Sequence, residues 1–347
     1  MILLLGASGY VGQAFSAELR RRKWSFIPLT RRAIDYTNFD VLFDYVRKIR
    51  PEFLINAAGY APYPTEDACE REREEVLCAN TLLPQTIARV CLMTKTPWGH
   101  VSSGSIYTGA KVPAEWGQMR IERNLNRPEV RRLFEEHPEQ FRGFTEWDEP
   151  NFSFRRPPCN FYSGSKALAE EAIHNMGRNY VWRPRMFFNE RDEPRNLLSK
   201  FLRCERICDT ISSLSHLDDF VRACLDLWER GAAFGIYNVV NPGPVTTRRI
   251  AELIRQILKP NRDFEFSESD TEFYRREDQA PRSYCILDST KLLQAGVGMR
   301  STEEALRSSL QKWQPARSSW DGLPDHEESK NTLKEMAALG KLCARHL

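Results

Sequence analysis

The sequence lacks a clear excess of charge of either sign. Its 50 Lys and Arg residues nearly balance its 47 Asp and Glu residues, and the formal net charge is +3. Because acids and bases are mixed along the chain without a basic stripe, nothing indicates nucleic-acid binding. The apolar runs are also far shorter than the roughly 20 residues that a membrane-spanning helix needs. These absences favour a soluble protein with neither nucleic acid nor membrane as a partner.

Metal-ligand and export patterns are missing as well. The nine cysteines are an odd number without metal-type pairing, which indicates reduced thiols. Cys204 and Cys208 are better interpreted as residues of one helix face, so we predict no metal site. Met1 leads directly into an apolar strand, without the charged region or cleavage site of a secretory or organellar peptide. We therefore expect a cytoplasmic protein.

Apolar strands and amphipathic helices alternate through the first half of the chain, which is typical of a doubly wound parallel sheet. We predict an α/β Rossmann fold with a smaller C-terminal substrate-binding lobe, and the 347 residues are enough for both. The predicted division is 1–186 for the Rossmann domain, with a strand at 235–241 returning to its sheet, 187–330 for most of the substrate-binding lobe, and 331–347 for a helical tail.

A glycine motif follows the first apolar strand directly. Gly6, Gly9 and Gly12 have the spacing Gly-x-x-Gly-x-x-Gly and precede a helical pattern. The first two glycines allow a tight turn and close approach to a pyrophosphate, while Gly12 lets the helix pack on the strand. A glycine triplet alone is a weak signal, but its position after the first strand predicts a dinucleotide site. The intervening residues Ser8, Tyr10 and Val11 are expected to contact the cofactor too.

The second predicted strand ends in two basic residues. Arg31 and Arg32 lie where enzymes that prefer NAD usually carry an acidic side chain for the adenosine ribose. Two guanidinium groups suit a ribose 2′-phosphate, so NADP(H) is favoured over NAD(H). Asp35 follows shortly and could bond an adenine edge or a ribose hydroxyl, which keeps NAD(H) as the alternative.

Tyr162 and Lys166 lie four residues apart in a segment with helical periodicity. A helix places such residues on one face, so the Lys166 ammonium can lie beneath the Tyr162 phenol and lower its pKa. The phenol then becomes an acid or base that is usable near neutral pH. For this spacing alone, an ordinary solvated helix face would be the better interpretation. The segment follows the glycine motif and the serine-rich strand end at Ser103, and this context favours a redox site.

Several motifs together resemble the extended short-chain dehydrogenase/reductase family, in the family's order and over nearly the whole chain to about Leu310. The resemblance implies that Ser103 hydrogen-bonds the substrate oxygen, Tyr162 transfers the proton, and Lys166 binds the nicotinamide ribose and tunes Tyr162. The motifs that carry it, besides the glycine turn, are Asn56-Ala57-Ala58-Gly59, Asn80, Ser102-Ser103 and the Tyr162 to Lys166 segment. Ala57, Ala58, Gly59 and Asn80 are implied cofactor contacts.

Within the family, the likeness is closer to dTDP-4-dehydrorhamnose reductases, and closest to plant bifunctional enzymes. Those enzymes perform 3,5-epimerisation and 4-keto reduction on a nucleotide-linked 4-keto-6-deoxyglucose. The stretches that carry this likeness are Asp67-Ala68-Cys69-Glu70, Glu149–Phe152, Arg183–Met186 with Pro194–Lys200, and Ala280–Ser283 with Asp288–Leu292.

The likeness implies that Cys69 and Lys200 are an acid/base pair for inversion at C3 and C5. Protons beside a 4-keto group are acidified, and a thiol and an ammonium in one cleft favour each other's reactive form. For either residue alone, a small buried cysteine or a surface lysine would be the plainer interpretation. Substrate contacts are expected from Ser103, Ser105, Arg185, Asn196 and Arg282, with Arg282 offering forked donors.

The resemblance thus implies an NADPH-dependent 3,5-epimerase/4-reductase that converts a dTDP- or UDP-linked 4-keto-6-deoxyhexose into an L-rhamnose-type nucleotide sugar. A homodimer is expected, because relatives pair the Tyr162 helix and the helix after Asn80 into a four-helix bundle. A plain 4-keto reductase, an NAD-dependent 4-epimerase and a non-catalytic NADP-binding regulatory subunit are the alternatives. A 4,6-dehydratase is disfavoured, because Gly104 and Ser105 follow Ser103 where an Asp-Glu pair is expected.

One stretch departs from this likeness. Residues 110–143 are charged and rich in aromatics, with a helical pattern over Pro128–Gln140, and are longer than the loop expected in the plant enzymes. We expect this insertion near the active site, as a lid over the sugar or as a remodelled wall for another substrate. The sequence leaves open the nucleotide base, the exact sugar and whether epimerase activity is retained.

Overall fold

The computed structural model of the protein describes residues 1–60, 67–204, 206–259, 263–267 and 280–316. The predicted helical tail at 331–347 lies outside the described residues. The described strands are β1 (Ile2–Leu5), β2 (Phe26–Leu29), β3 (Phe53–Asn56), β4 (Trp98–Val101), β5 (Ala110–Pro113), β6 (Met119–Glu122), β7 (Asn179–Arg183), β8 (Phe187–Phe188), β9 (Arg206–Cys208), β10 (Ile211–Ser212), β11 (Ser215–His216), β12 (Gly235–Asn238), β13 (Val245–Thr246) and β14 (Glu265–Ser267).

The described helices connect these strands. They are α1 (Tyr10–Arg21), α2 (Phe39–Ile49), α3 (Ala68–Arg71), α4 (Arg73–Leu77), α5 (Leu83–Thr94), α6 (Pro128–Glu136), α7 (Phe161–Ala172), α8 (Leu197–Arg203), α9 (Leu217–Glu229), α10 (Thr247–Leu258), α11 (Thr290–Gln294) and α12 (Thr302–Gln311). A π-helical turn, Cys78–Leu82, joins α4 to α5.

A six-stranded sheet forms the centre of the fold, in the order β2-β1-β3-β4-β7-β12. All of its neighbouring strands run parallel. Side chains of a strand alternate between the two faces of a sheet. Ile2 and Leu4 accordingly pack in the core with α1 and α9, while Leu3 and Leu5 pack in the core with α2 and α5. The predicted doubly wound α/β fold is confirmed.

The second half of the chain adds a core of its own. Its buried side chains come mainly from α8, α10 and α12. In the sequence between α8 and α10, the chain returns to the central sheet, where β12 pairs with β7 at the edge. The domain boundaries stay a prediction.

The insertion at 110–143 is packed against this second half. It forms an antiparallel hairpin of β5 and β6, followed by α6. Val112 and Phe134 share a core cluster with Ile211 and Ile286. The helix ends at Glu136, before the predicted end at Gln140, and residues 138–140 form a separate 3-10 turn.

The sequence predicts one largely helical stretch from Glu66 to Leu92, and the structure interrupts it at Glu72, where φ is −105° and ψ is 46°.

The segment Arg73–Thr94 passes a length and composition test for a membrane span, with a mean hydropathy of 1.3. Half of the apolar stretch within this segment on which the test rests is buried inside the fold. Ile87 and Ala88 of the segment belong to the core beside the sheet. Core helices of soluble proteins pass the same test, so this segment carries no argument for a membrane.

Candidate active site

The three glycines of the motif form the turn between β1 and α1. Gly6 has a φ of +75°, and a Cβ atom there would lie 2.5 Å from the backbone nitrogen of Ala58. A Cβ atom on Gly12 would lie 2.0 Å from the carbonyl oxygen of Gly6. Gly9 precedes α1 without a side-chain cap, so the first N–H groups of this helix remain available for an anion.

A cleft of about 1150 Å³ lies against this turn. The size of the cleft and the backbone cradle suit a dinucleotide. The positive charges of Arg31 and Arg32 on the same wall suit a 2′-phosphate. Predicted cofactor residues that line the cleft are Gly6, Ser8, Gly9, Arg31, Arg32, Ala57, Ala58 and Gly59.

Three other predicted cofactor residues make contacts of their own. Asp35 accepts hydrogen bonds from the hydroxyl and the amide of Thr37 at 2.5 and 3.1 Å, and these bonds lower the pKa of its carboxyl group. The Tyr10 ring packs edge-on against Phe187, with a centroid distance of 6.2 Å, and Val11 packs on the core beside α9. Their contacts with a cofactor stay predictions.

Lys166 is buried at the carboxyl edge of the sheet. It lies on α7, whose first turn is capped by the Asn160 side chain, which accepts a hydrogen bond from the Ser163 amide at 2.7 Å. The Lys166 ammonium donates a hydrogen bond of 3.2 Å to the carbonyl oxygen of Val101. Burial lowers the pKa of Lys166 to about 8, and the acidic groups of Glu170 and Cys69 act in the opposite direction.

Ser103 is brought to the same edge as Lys166, two residues beyond the end of β4. Its buried hydroxyl donates a hydrogen bond of 2.9 Å to the Ser105 hydroxyl and accepts one of 3.2 Å from the Ser105 amide. Both serines therefore lie at the short 3-10 turn Gly104–Ile106. Tyr162 lies half-buried in the first turn of α7.

Asn80 holds the stretch after β3, which passes beside Lys166. Its side-chain oxygen accepts a hydrogen bond from the Tyr60 amide at 2.8 Å, and its amide group donates one to the Tyr60 carbonyl at 3.0 Å. A Cβ atom on Gly59 would lie 3.4 Å from the Lys166 ammonium nitrogen, so Gly59 lies beside the lysine. A direct cofactor contact by Asn80 stays a prediction.

The cysteine segment of the predicted epimerase pair packs on the start of α7. Cys69 is fully buried on α3, and its neighbour Glu70 accepts a hydrogen bond from the Phe161 amide at 2.6 Å. Cys69 contributes to the electrostatic environment of Lys166, and a shared site for the predicted epimerase and reductase residues stays a prediction.

Asp67 connects this segment to a distant part of the chain. Its carboxylate accepts hydrogen bonds from the Arg282 guanidinium at 2.7 Å and the Ala280 amide at 2.9 Å. A further hydrogen bond holds the same distant segment, because the Asn160 side chain donates to the carbonyl of Pro281 at 2.9 Å. Arg282, predicted from the sequence as a substrate contact, is thus held against the cysteine segment by an ion pair that the sequence did not reveal.

The other predicted substrate residues lie on the second half of the chain. Asn196 is fully buried, caps α8 by accepting a hydrogen bond from the Leu198 amide, and donates bonds to the carbonyls of Asn189 and Arg191. This structural role was not foreseen, and substrate contact by Asn196 stays a prediction. Buried Arg185 donates to the carbonyl of Ser283. Lys200 lies on α8, and its pairing with Cys69 stays a prediction.

A buried ion pair behind the site was missed in the sequence. The guanidinium of Arg183 on β7 lies 2.5 Å from the carboxylate of Glu170 on α7, and both side chains are less than 10% exposed. The hydroxyl of Ser102 donates a further bond of 2.5 Å to Glu170. A charged residue in an otherwise apolar strand was the available signal, because a buried charge requires a partner.

His100 was missed as well. The Asn56 side-chain oxygen accepts a hydrogen bond from the Ala58 amide at 3.0 Å, so its amide group faces Nδ1 of His100, also at 3.0 Å. Nδ1 is therefore the acceptor, and burial keeps the pKa of His100 well below its ordinary value. This neutral imidazole fixes Asn56 and the loop that lines the cleft.

Comparison with known proteins identifies similar chains. The sequence matches the family described as RmlD substrate binding domain over residues 1–314. It is 28% identical over 262 residues to the bifunctional dTDP-4-dehydrorhamnose 3,5-epimerase/dTDP-4-dehydrorhamnose reductase of Arabidopsis thaliana, covering 75% of the chain and 77% of that protein. It is equally identical to a trifunctional UDP-glucose 4,6-dehydratase/UDP-4-keto-6-deoxy-D-glucose 3,5-epimerase/UDP-4-keto-L-rhamnose-reductase of the same plant, where the match covers 75% of the chain and 35% of the relative. The chain thus spans about a third of that trifunctional relative.

Solved structures share the fold. The UDP-rhamnose synthase L780 of Acanthamoeba polyphaga mimivirus has a TM-score of 0.74 at 23% identity, covering 90% of the chain and 98% of that structure. A dTDP-4-dehydrorhamnose reductase of Bacillus anthracis in complex with NADP has a TM-score of 0.67 at 19% identity, covering 88% and 96%. At these identities the likeness shows the fold.

Proposed function

The chain belongs to the RmlD substrate binding domain family, and we propose that it is an NADPH-dependent 3,5-epimerase and 4-reductase of a nucleotide-linked 4-keto-6-deoxyhexose. Similar proteins are named as nucleotide-sugar reductases and synthases, and one combines both activities in a single chain. A similar reductase structure contains NADP, which agrees with the glycine cradle and with Arg31 and Arg32 in the cleft of this chain. The expected product is an L-rhamnose-type nucleotide sugar.

The observation that carries the proposal is the position of Lys166. Its ammonium is buried, bonded to the strand end at Val101 and close to Gly59. A dehydrated cation at this point stabilises negative charge on a neighbouring phenol or ribose hydroxyl far more than a solvated one would. This is the environment that proton transfer by Tyr162 requires.

Reduction needs a hydride and a proton at the ketone. NADPH supplies the hydride when bound. In our assignment Tyr162 gives its phenolic proton to the C4 oxygen, and the hydroxyl of Ser103 donates a hydrogen bond to the same oxygen. Charge that develops on the oxygen is neutralised as it forms, which stabilises the transition state more than the ketone.

Inversion at C3 and C5 uses the acidity of the protons beside the ketone. A base removes such a proton, the electron pair delocalises into the C4 carbonyl, and an acid returns a proton on the opposite face of the ring. We assign these two roles to Cys69 and Lys200. The electrostatic interaction of Cys69 with Lys166 supports a position of Cys69 near the proposed reductase residues.

We also propose a homodimer through α5 and α7. These helices, with the turn before α5, carry apolar side chains that remain exposed in the single chain, among them Leu82, Met93 and Leu168. Pairing of the two helices with those of a second copy would cover them.

The test is NADPH consumption by the purified protein with dTDP- and UDP-4-keto-6-deoxyglucose, with the sugar product identified by mass spectrometry. We expect turnover with at least one nucleotide, and a loss of at least about a hundredfold in Tyr162→Phe with cofactor binding retained. Absence of turnover with both substrates, or a Tyr162→Phe variant as active as the wild type, would contradict the proposal.

A further inference from the structure

Two consecutive turns of α7 are bonded to the end of β4. Lys166 lies on the first of these turns, and its ammonium donates a hydrogen bond of 3.2 Å to the carbonyl oxygen of Val101. Glu170 lies on the next turn, and its carboxylate accepts a hydrogen bond of 2.5 Å from the hydroxyl of Ser102. The next residue is Ser103, so both bonds hold the backbone directly before the serine that is assigned to the substrate oxygen.

The Glu170 carboxylate is also fixed from the neighbouring strand β7. Arg183 donates to it through Nε at 3.1 and 3.0 Å and through Nη2 at 2.5 Å. The remaining nitrogen of Arg183, Nη1, donates a hydrogen bond of 3.0 Å to the hydroxyl of Tyr107. That hydroxyl in turn donates to the carbonyl oxygen of Asp148 at 2.6 Å. The carboxylate therefore has one defined position between α7, β4 and β7.

This buried carboxylate also acts on Lys166. Residues four apart on a helix share a face, so Glu170 and Lys166 lie on the same side of α7. Burial lowers the pKa of Lys166 to about 8, and the negative charge of Glu170 is the larger of the two effects that oppose it. Stability alone does not require such a group, because apolar side chains of similar volume often stabilise a core as well as a buried ion pair does.

Three other ionisable groups lie on the elements around Lys166. His100 on β4 is neutral, because burial and the Lys166 charge keep its pKa well below its ordinary value. Cys69 on α3 raises the pKa of Lys166 by less than Glu170 does. Tyr162 lies one turn earlier on α7. Removal of the Glu170 charge should therefore lower the pKa of Lys166 further, since the largest opposing effect is lost.

We propose that Glu170 is a positioning residue of the reductase site, which locks the turn of α7 after Lys166 to the strand end that leads to Ser103. The inference rests on the proposed function, in which Tyr162 and Ser103 act on one carbonyl oxygen. These two donors come from different elements, so their separation depends on how α7 is held against the end of β4. Misplacement of a reacting group by about 1 Å can cost on the order of a hundredfold in rate.

The kinetic test compares reduction of dTDP- or UDP-4-keto-L-rhamnose by the wild type, Glu170→Gln and Ser102→Ala. Glu170→Gln keeps an acceptor for the Ser102 hydroxyl and removes the charge, whereas Ser102→Ala removes the bond and leaves the ion pair with Arg183. In both variants we expect kcat to fall about tenfold or more, while the KM values for sugar and NADPH stay within about twofold of the wild type.

Two matched controls keep this result specific. Glu171→Gln changes the next residue of α7, an exposed carboxylate that pairs with Arg155. Ser309→Ala removes an equally buried serine hydroxyl, which is bonded to the carbonyl of Ala305 on α12. Both controls should retain the wild-type kcat. Thermal unfolding and NADPH affinity report whether each variant is folded.

A second test needs no turnover. Carbon-13 NMR of the lysine Cε atoms in labelled, cofactor-free protein follows the titration of Lys166, whose resonance is identified by its absence in Lys166→Met. Lys166 should titrate at a lower pH in Glu170→Gln than in the wild type. Glu171→Gln should leave this titration unchanged.

A wild-type kcat in both Glu170→Gln and Ser102→Ala would overturn the inference, as would a Lys166 pKa in Glu170→Gln that is equal to or above that of the wild type. If Glu170→Gln fails to fold, Ser102→Ala decides the kinetic test. Absence of keto-sugar turnover by the wild type would refute the proposed function, whereas the Lys166 titration would still decide whether Glu170 acts on the lysine. The two failures are therefore distinguishable.

Discussion

The Lys166 ammonium on α7 donates a hydrogen bond of 3.2 Å to the carbonyl oxygen of Val101, the last residue of β4. This bond joins the helix that carries Tyr162 to the strand that leads to Ser103. Because the ammonium is removed from water, burial is the main cause that lowers its pKa from 10.5 to about 8.

The lowered pKa of Lys166 makes the stability of the cofactor-free protein depend on pH. Between about pH 8 and 10.5 the unfolded chain holds a proton on Lys166 that the folded chain has lost. Stability therefore rises with pH through this window, by on the order of 3 kcal/mol at most for this group. Urea unfolding of the wild type and Lys166→Met across this range isolates the contribution. A difference between the two proteins that stays constant from pH 7 to about pH 10.5 would contradict the assignment.

Cys69 should be needed for inversion and dispensable for reduction. In Cys69→Ala, we expect loss of solvent hydrogen exchange at C3 or C5 of the 4-keto sugar, because one partner of the acid/base pair is gone. Reduction of a substrate that already has the inverted configuration, dTDP-4-keto-L-rhamnose, should stay within a few-fold of the wild-type rate and is the internal control. Equal loss of both activities would show that Cys69 supports the structure of the whole site.

Arg31 and Arg32 should set the cofactor preference. Charged hydrogen bonds to a 2′-phosphate contribute about 1.5–3 kcal/mol each, so replacing both with Ala should raise the KM for NADPH by roughly a hundredfold or more. The KM for NADH should change little, because NADH lacks that phosphate. Arg47→Ala, an exposed substitution on α2, is the matched control. A similar loss with both cofactors would disprove the 2′-phosphate contact.

The buried ion pair of Glu170 and Arg183 should contribute strongly to the stability of the fold. Glu170→Ala leaves the Arg183 guanidinium buried without its carboxylate partner, which should destabilise the fold by about 3–5 kcal/mol. Chemical denaturation measures this change. Arg132→Ala, which breaks the exposed pair with Glu136 on α6, should leave the denaturation midpoint unchanged. An equally small effect of Glu170→Ala would show that Arg183 finds other partners.

Local patterns in the sequence were sufficient for the fold and for many of the residues that line the cleft. Neighbouring residues of β1 alternate between two cores, with Ile2 and Leu4 in one and Leu3 and Leu5 in the other. The glycine turn is also local, because a Cβ atom at Gly6 would obstruct it. The helical pattern around Tyr162 and Lys166 likewise predicted that both residues lie on one helix, because the fourth residue along a helix returns to the same face.

Contacts between distant segments could not be predicted in this way. The ion pair of Asp67 with Arg282 spans 215 positions, and each residue alone is typical of a solvated surface. Packing of the insertion on the second half of the chain depends likewise on the Arg131 contact with Asp209, 78 positions away. Helical periodicity also failed to reveal the interruption at Glu72, because the residues on both sides of it are good helix formers.

The proposed activity is tested most directly by the reaction of the wild-type protein with NADPH and a nucleotide-linked 4-keto-6-deoxyglucose in deuterated water. Each inversion exchanges a carbon-bound hydrogen with solvent, whereas the hydrogen that reaches C4 comes from NADPH. We predict an L-rhamnose-type product with solvent deuterium at C3 and C5 and ordinary hydrogen at C4. A reduced product without solvent deuterium at either carbon would contradict the epimerase and leave a plain 4-keto reductase.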